Sequence, residues 1–158
     1  MRWLGIDPSL SQTGWGLIEV DGPRLRHIEH GVIKTKATMD IQDRLYYIRI
    51  EMETVMGQLR VSDAVAFEET HLSMAKGGMS AIALARAQGA ILSATGHFVN
   101  SVEIMKPSQW RKALGIGGNG DKRAAQAAVT TLLGMTEPPT PLDAAEGLGI
   151  AIAGSTRR

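Results

Sequence analysis

The chain has 158 residues, 44% of them hydrophobic and 21% charged, and a formal net charge of +1; that is a length for one domain and the balance of an ordinary globule able to bury a real core. It has no cysteine, which excludes disulfides, thiolate zinc sites and a cysteine nucleophile, so any metal must be held by oxygen or imidazole. The longer apolar stretches are broken by Arg86, Gln88 or Glu146 and none suits a membrane span, while the early acid Asp7 argues against a signal peptide.

Residues 2–7 read as a short buried strand ending in a carboxylate, and residues 8–11 as a turn. Residues 13–20 form a second strand, Asp21, Gly22 and Pro23 a turn at hairpin spacing, and residues 25–35 a third strand. The N-terminal third is therefore predicted to be an antiparallel meander. Ile41, Leu45, Ile48, Met52, Val55, Met56 and Leu59 recur at spacings of three and four, which predicts an amphipathic helix over 40–60. Residues 63–69 return to a short apolar run ending in acids. Following a helix, this strand is expected to be buried and parallel to the first.

Residues 71–78 read as a loop, 80–95 as a helix of small residues, and 98–105 as a fifth strand. Pro107 opens a short helix containing Trp110 and Leu114. Residues 115–120 (GIGGNG) are a loop, and Asp121 caps a helix to about Leu133. A proline-rich connector, 135–141, leads to a last helix over 142–153. The order predicts an α/β fold with a mixed five-stranded sheet flanked by helices, in one domain over 1–154 with a loose tail at 155–158.

Four acids carry the candidate chemistry. Asp7 and Glu68 each end an apolar strand. If those strands are parallel neighbours, the carboxylates sit together at the carboxyl edge of the sheet, where open α/β sheets bind ligands. Asp143 and Glu146 are three apart on one face of an otherwise apolar helix. Clustered, buried acids repel and resist ionisation unless a cation neutralises them. Oxygen donors suit Mg²⁺ or Mn²⁺, and two such ions about 3.5–4 Å apart serve phosphodiester hydrolysis. A plainer reading stands beside this one. Asp7 fits an Asx turn before Pro8 and Ser9, and Asp143 fits an N-cap with Glu146 as its capping-box partner.

Lys106, Arg111, Lys112, Lys122 and Arg123 cluster around Trp110. With the glycine amides of 115–120 they suit sequence-independent phosphate contacts, or else form a solvated helix face beside a plain connector. The GIGGNG run follows a helix and not a strand, so it lacks the context of a dinucleotide loop. Trp110 reads as core. His71 is open between proton donor, metal ligand, base contact and none of these; His27, His30 and His97 form no pattern. The small-residue helix over 80–95 suits either its own sheet or a second subunit.

These motifs, in order along nearly the whole chain, resemble one family. Residues 4–16 (LGIDPSLSQTGWG), 66–69 (AFEE), 73–76 (SMAK), 85–90 (ARAQGA), 106–112 (KPSQWRK) with Gly117 and Lys122, and 142–153 (LDAAEGLGIAIA) are similar to the RuvC-type Holliday-junction resolvases of the ribonuclease H-like fold. The resemblance implies a homodimeric endonuclease that cuts four-way DNA junctions with Mg²⁺ or Mn²⁺, two ions per site, nicking two strands of like polarity. It places the catalytic acids on Asp7, Glu68, Asp143 and Glu146. It places DNA contacts on Arg111 or Lys112 and on Lys122, with Lys76 and His71 in the loop after the second acid. It implies a DNA-associated, cytoplasmic protein working in recombination, repair or viral DNA processing, with any branch-migration partner unspecified.

Three positions depart from the family pattern. Glu146 stands where the last carboxylate is usually Asp, Ser9 where a glycine usually follows Asp-Pro, and His71 where some members carry an aromatic. Three other readings compete: a ribonuclease H-fold nuclease for other branched DNA or RNA–DNA hybrids, a nucleotide-binding protein of the actin and sugar-kinase type, and a non-enzymatic junction binder. The second needs two such domains and several hundred residues; the third requires loss of the acids, and all four positions are carboxylates.

Overall fold

The computed structural model describes residues 1–60, 63–69 and 78–157, with the backbone alone at 78–80. His71 and Lys76 lie outside the described residues. The described elements run β1 (Arg2–Asp7), β2 (Gln12–Asp21), β3 (Arg24–Lys34), α1 (Ile41–Leu59), β4 (Ala64–Glu68), α2 (Gly78–Thr95), β5 (Val102–Met105), α3 (Pro107–Ala113), α4 (Lys122–Leu132) and α5 (Leu142–Ser155). The five strands form one sheet in the order β3-β2-β1-β4-β5. β1, β2 and β3 are the antiparallel meander and β4 adds in parallel to β1, as the sequence predicts; β5 adds in parallel to β4.

Side-chain alternation along the strands sorts the residues between two cores. Leu4 and Ile6 of β1, with Val65 and Phe67 of β4, face α1 and α2 and pack with Ile48, Met52, Met56, Ala87 and Ile91. Trp3 of β1, with Ala64 and Ala66 of β4, faces the other way, onto Leu148 and Ile152 of α5, Trp110 of α3 and Val129 of α4. By the same period of two, Asp7 and Glu68 belong to the α5 face. Full burial of each large apolar side chain contributes roughly 1.5–3 kcal/mol, so both faces are well anchored.

Helix α5 is buried from Ala144 to Gly154 and approaches the strands at backbone distance. A Cβ added at Gly5 would lie 2.0 Å from the carbonyl oxygen of Gly147, and one at Gly14 would lie 1.9 Å from that of Asp143. Only glycine permits this approach, and it brings the start of α5 down onto the end of β1.

Two expectations are corrected. β5 spans four residues, Val102–Met105, not 98–105. The end of α2 turns back through a hydrogen bond from the Phe98 N–H to the Thr95 carbonyl, and Phe98 and Val99 pack beneath the α1–α2 core before the ladder begins. The capping reading of α5 also fails: its N-cap is Pro141, and Asp143 lies inside the first turn.

Candidate active site

Ile6 pairs with Phe67 in the parallel β1–β4 ladder, so the next residues, Asp7 and Glu68, end adjacent strands side by side. α5 adds Asp143 and Glu146 from one face of its first turns. Carboxylate oxygens of Asp7, Asp143 and Glu146 lie within 4.8 Å of one another. The turn after β1 is held without Asp7: the Ser9 hydroxyl accepts from the Ser11 and Gln12 N–H groups, and the Thr13 hydroxyl donates to the Ser9 carbonyl. The Asx-turn reading of Asp7 is thereby replaced, since its carboxylate belongs to the acid group.

Glu68 stands beside this group of three and is not one of it. Its Oε2 accepts from the Trp110 indole N–H at 2.5 Å, and its backbone carbonyl accepts from the Gln88 amide at 3.2 Å. Trp110 is fully buried, so the core reading of this residue is right, but its polar edge also holds an acid in place.

Among the described residues two cations reach the cluster. The Lys122 ammonium contacts Asp143, lies 2.5 Å from Glu146 Oε2 and sits 3.9 Å from Asp7 Oδ2, with its side chain 47% exposed. Asp121 caps α4 by accepting from the Ala124 N–H, and Lys122 is the first residue of that helix, which aims it back at the acids. Arg111 Nη2 lies 3.4 Å from Glu146 Oε1, and its guanidinium rests 5.0 Å from the Trp110 ring centroid. Its Nε is buried and has no hydrogen-bond partner among the described residues. Gln12, at the start of β2, donates its side-chain amide to Asp143.

Burial is the main influence on Asp7 and Glu68. It pushes the Asp7 carboxyl well above the ordinary aspartate range, with further upward pressure from Glu68 and Glu146 and only partial relief from Lys122. Burial likewise raises Glu68, against the lowering effect of the Trp110 hydrogen bond. Burial opposes the charge on Lys122, but its hydrogen bonds to Asp143 and Glu146 win and hold its pKa above the usual lysine value. Four carboxylates faced by two cations keep an excess of negative charge. The donors are all hard oxygens, and Glu146 is only 3% exposed. Such a cluster suits a divalent cation, which would lower these pKa values and ionise the acids.

The structure thus unites three of the four predicted acids directly and sets the fourth beside them. Of the predicted basic residues, Arg111 and Lys122 are bound into the acid cluster, and Lys112 is exposed on α3. Gln12 and the polar role of Trp110 escaped the sequence reading. Each acts on an acid far away in the chain, and no local spacing signals such a pair.

A mixed sheet of this order, with carboxylates from β1, β4 and the last helix meeting at its edge, defines the chain as a ribonuclease H-like α/β domain with an acidic, cation-seeking centre. More narrowly, the chain belongs to the crossover junction endodeoxyribonuclease RuvC family, which it matches over residues 3–154. It is 34% identical to the RuvC of Nitrobacter hamburgensis over 158 residues, all of this chain and 91% of that protein. It is 36% identical to the RuvC of Heliobacterium modesticaldum over 149 residues, 94% of this chain and 90% of that one. Among solved structures, T. thermophilus RuvC in complex with Holliday junction substrate superposes with a TM-score of 0.85 at 28% identity, covering 98% of this chain and 93% of that one.

Proposed function

We propose that this protein is a structure-selective endonuclease that resolves four-way DNA junctions by paired, metal-dependent nicks, acting as a homodimer in the cytoplasm. The observation that carries this reading is the convergence of Asp7, Asp143 and Glu146, with Glu68 alongside, from three separate elements of a RuvC-family fold.

In this reading Asp7, Glu68, Asp143 and Glu146 hold two Mg²⁺ ions, for which Mn²⁺ substitutes. When bound, such ions activate water and stabilise the charge that develops in phosphodiester hydrolysis. The chain's own residues orient the substrate. Arg111, Lys112 and Lys122 take the phosphate backbone, which favours DNA without reading its sequence; Lys76 and His71, outside the described residues, are proposed as further DNA contacts by the family resemblance. Trp110 and Gln12 fix the rotamers of Glu68 and Asp143. The glycine contacts between α5 and the strands keep the acids at a fixed separation. The extra methylene of Glu146, compared with the aspartate usual in the family, still allows its carboxylate to join the group. Two copies of the site, one per subunit, supply one nick each.

The test is cleavage of four-way, Y-shaped and RNA–DNA hybrid substrates by the purified protein with Mg²⁺ or Mn²⁺, with products mapped to the nucleotide. Paired nicks on the four-way junction are expected, and preferred cutting of hybrids would redirect the assignment. Asp7→Asn is expected to abolish cutting while sparing junction binding in a gel-shift assay. Nicking by that variant at the wild-type rate would remove Asp7 from the reaction.

A further inference from the structure

On edge strand β3, far in sequence from the acids, two histidines are brought together by a defect in the ladder. Leu17 pairs with Glu29 and Ile18 with His27, so Ile28 is an extra residue in β3. In a regular strand residues three apart point to opposite faces; one inserted residue puts them on the same face. His27 and His30 accordingly meet, His27 Nε2 lying 2.8 Å from His30 Nδ1, with ring centroids 4.9 Å apart.

The pair is a hydrogen-bonded couple of imidazoles. One of the facing nitrogens carries a proton and the other a lone pair. His30 also has the backbone carbonyl of Thr140 as a hydrogen-bond acceptor. With its Nδ1 turned to His27, the ring proton of His30 goes to that carbonyl and the Nδ1 lone pair accepts from His27 Nε2–H, a proton that shifts to His27 Nδ1 when Nε2 takes an ion. A metal-ligating histidine almost always has its second N–H fixed by a carbonyl or carboxylate in this way, which sets tautomer and ring orientation. Both rings are partly buried, and burial pushes both pKa values down, favouring the neutral, ligand-competent form. They line a cavity of about 510 Å³ between β3 and the α4–α5 connector, with Met135, Glu137 and Pro139 on its other wall. Glu29 acts electrostatically on both rings. The nearby Arg26 is engaged by Glu19 and so is not free to repel a cation.

We propose that His27 and His30 form a second metal site, an imidazole pair for a divalent transition ion such as Ni²⁺ or Cu²⁺, completed by water. The 2.8 Å separation is that of a hydrogen bond between the rings; an ion entering there replaces the proton between them, so that both lone pairs turn to the metal. Imidazole nitrogens suit Ni²⁺, Cu²⁺ and Zn²⁺, with Cu²⁺ held most tightly. An ion held here would fasten β3 beside the connector that leads into α5, the helix carrying Asp143 and Glu146.

The experiment is calorimetric titration of the full chain with Ni²⁺, in saturating Mg²⁺ to fill the carboxylate cluster. One saturable Ni²⁺ site per chain is expected. His27→Ala and His30→Ala should each weaken it at least about tenfold, while His97→Ala, at an exposed histidine elsewhere, leaves it unchanged. Cu²⁺ bound to the wild-type protein should show electron paramagnetic resonance couplings to two imidazole nitrogens, a readout that does not depend on any variant folding. Oxygen-only coordination in that spectrum, or undiminished Ni²⁺ affinity in the His27→Ala/His30→Ala double variant, would overturn the site.

Discussion

On one face of the sheet α1 meets the strands through long, adaptable side chains: Met52, Met56 and Ile48 against Leu4, Ile6, Leu17 and Phe67. On the other, α5 meets them through backbone, with Gly5 under the Gly147 carbonyl and Gly14 under that of Asp143. The contrast separates two uses of packing. Unbranched methionines fill space and tolerate small errors. A backbone-to-backbone contact fixes a distance and tolerates almost none, and the acids lie on that face.

Breaking the rigid face is expected to give the largest effect. In Gly14→Ala the new methyl would sit 1.9 Å from the Asp143 carbonyl oxygen, a backbone atom that cannot rotate away. Overpacking of this kind costs about 1–3 kcal/mol, and more where backbone must move. Divalent-ion affinity should fall with stability, because the displaced residue is itself an acid of the cluster. Met52→Leu on the opposite face, fully buried but volume-conserving, should cost less than about 1.5 kcal/mol and leave metal binding alone. Urea unfolding and metal titration of the two variants check this; equal behaviour would erase the distinction between the faces.

The same contrast explains what the sequence made legible. Strand alternation and helix periodicity are local, so the meander, α1, the parallel placement of β4 and the edge shared by Asp7 and Glu68 could be read from residues 2–69. Asp143 and Glu146 could be read as sharing a helix face, but the choice between cap and ligand needed Pro141 seen as the N-cap. The bonds from Trp110 to Glu68 and from Gln12 to Asp143 could not be read, because they join residues distant in the chain through side-chain direction. The His27–His30 contact was hidden for a related reason: the bulge at Ile28 shifts the strand period by one. The short β5 shows the limit of apolar runs as a signal, since Phe98 and Val99 are packed but unladdered.

A smaller effect comes from charge within the rigid face. Burial, then Glu68 and Glu146, raise the Asp7 carboxyl in the folded state, and burial raises Glu68. A carboxyl whose folded pKa exceeds its unfolded one favours folding when protonated. That stabilisation is present below the unfolded value, about 3.9 for Asp, and is lost as pH rises through the elevated folded value. In chelator, the urea midpoint should therefore fall as the pH rises through the weakly acidic range. Saturating Mg²⁺ should flatten that slope, because a bound cation favours the ionised acids. Asp7→Asn should be more stable than wild type in chelator near neutral pH and should lose this advantage in acid. A wild-type midpoint that instead climbs with pH in chelator would contradict the buried, mutually repelling cluster.

The smallest expected effect concerns Lys122, whose ammonium already lies among the three acids that meet. A cation bound to Asp7, Asp143 and Glu146 must share them with that charge or displace it. The lysine side chain is about half exposed, so water screens its pairs and each is worth little, on the order of 0.2–1 kcal/mol. Lys122→Met keeps most of the apolar stem and removes the charge. Mg²⁺ or Mn²⁺ should then bind the DNA-free protein about two- to fivefold more tightly, the same energy read as affinity. Manganese titration followed by electron paramagnetic resonance measures this without substrate. Weaker binding in Lys122→Met would mean that the ammonium holds the acids in place for the ion instead of competing with it, making the lysine part of the rigid face.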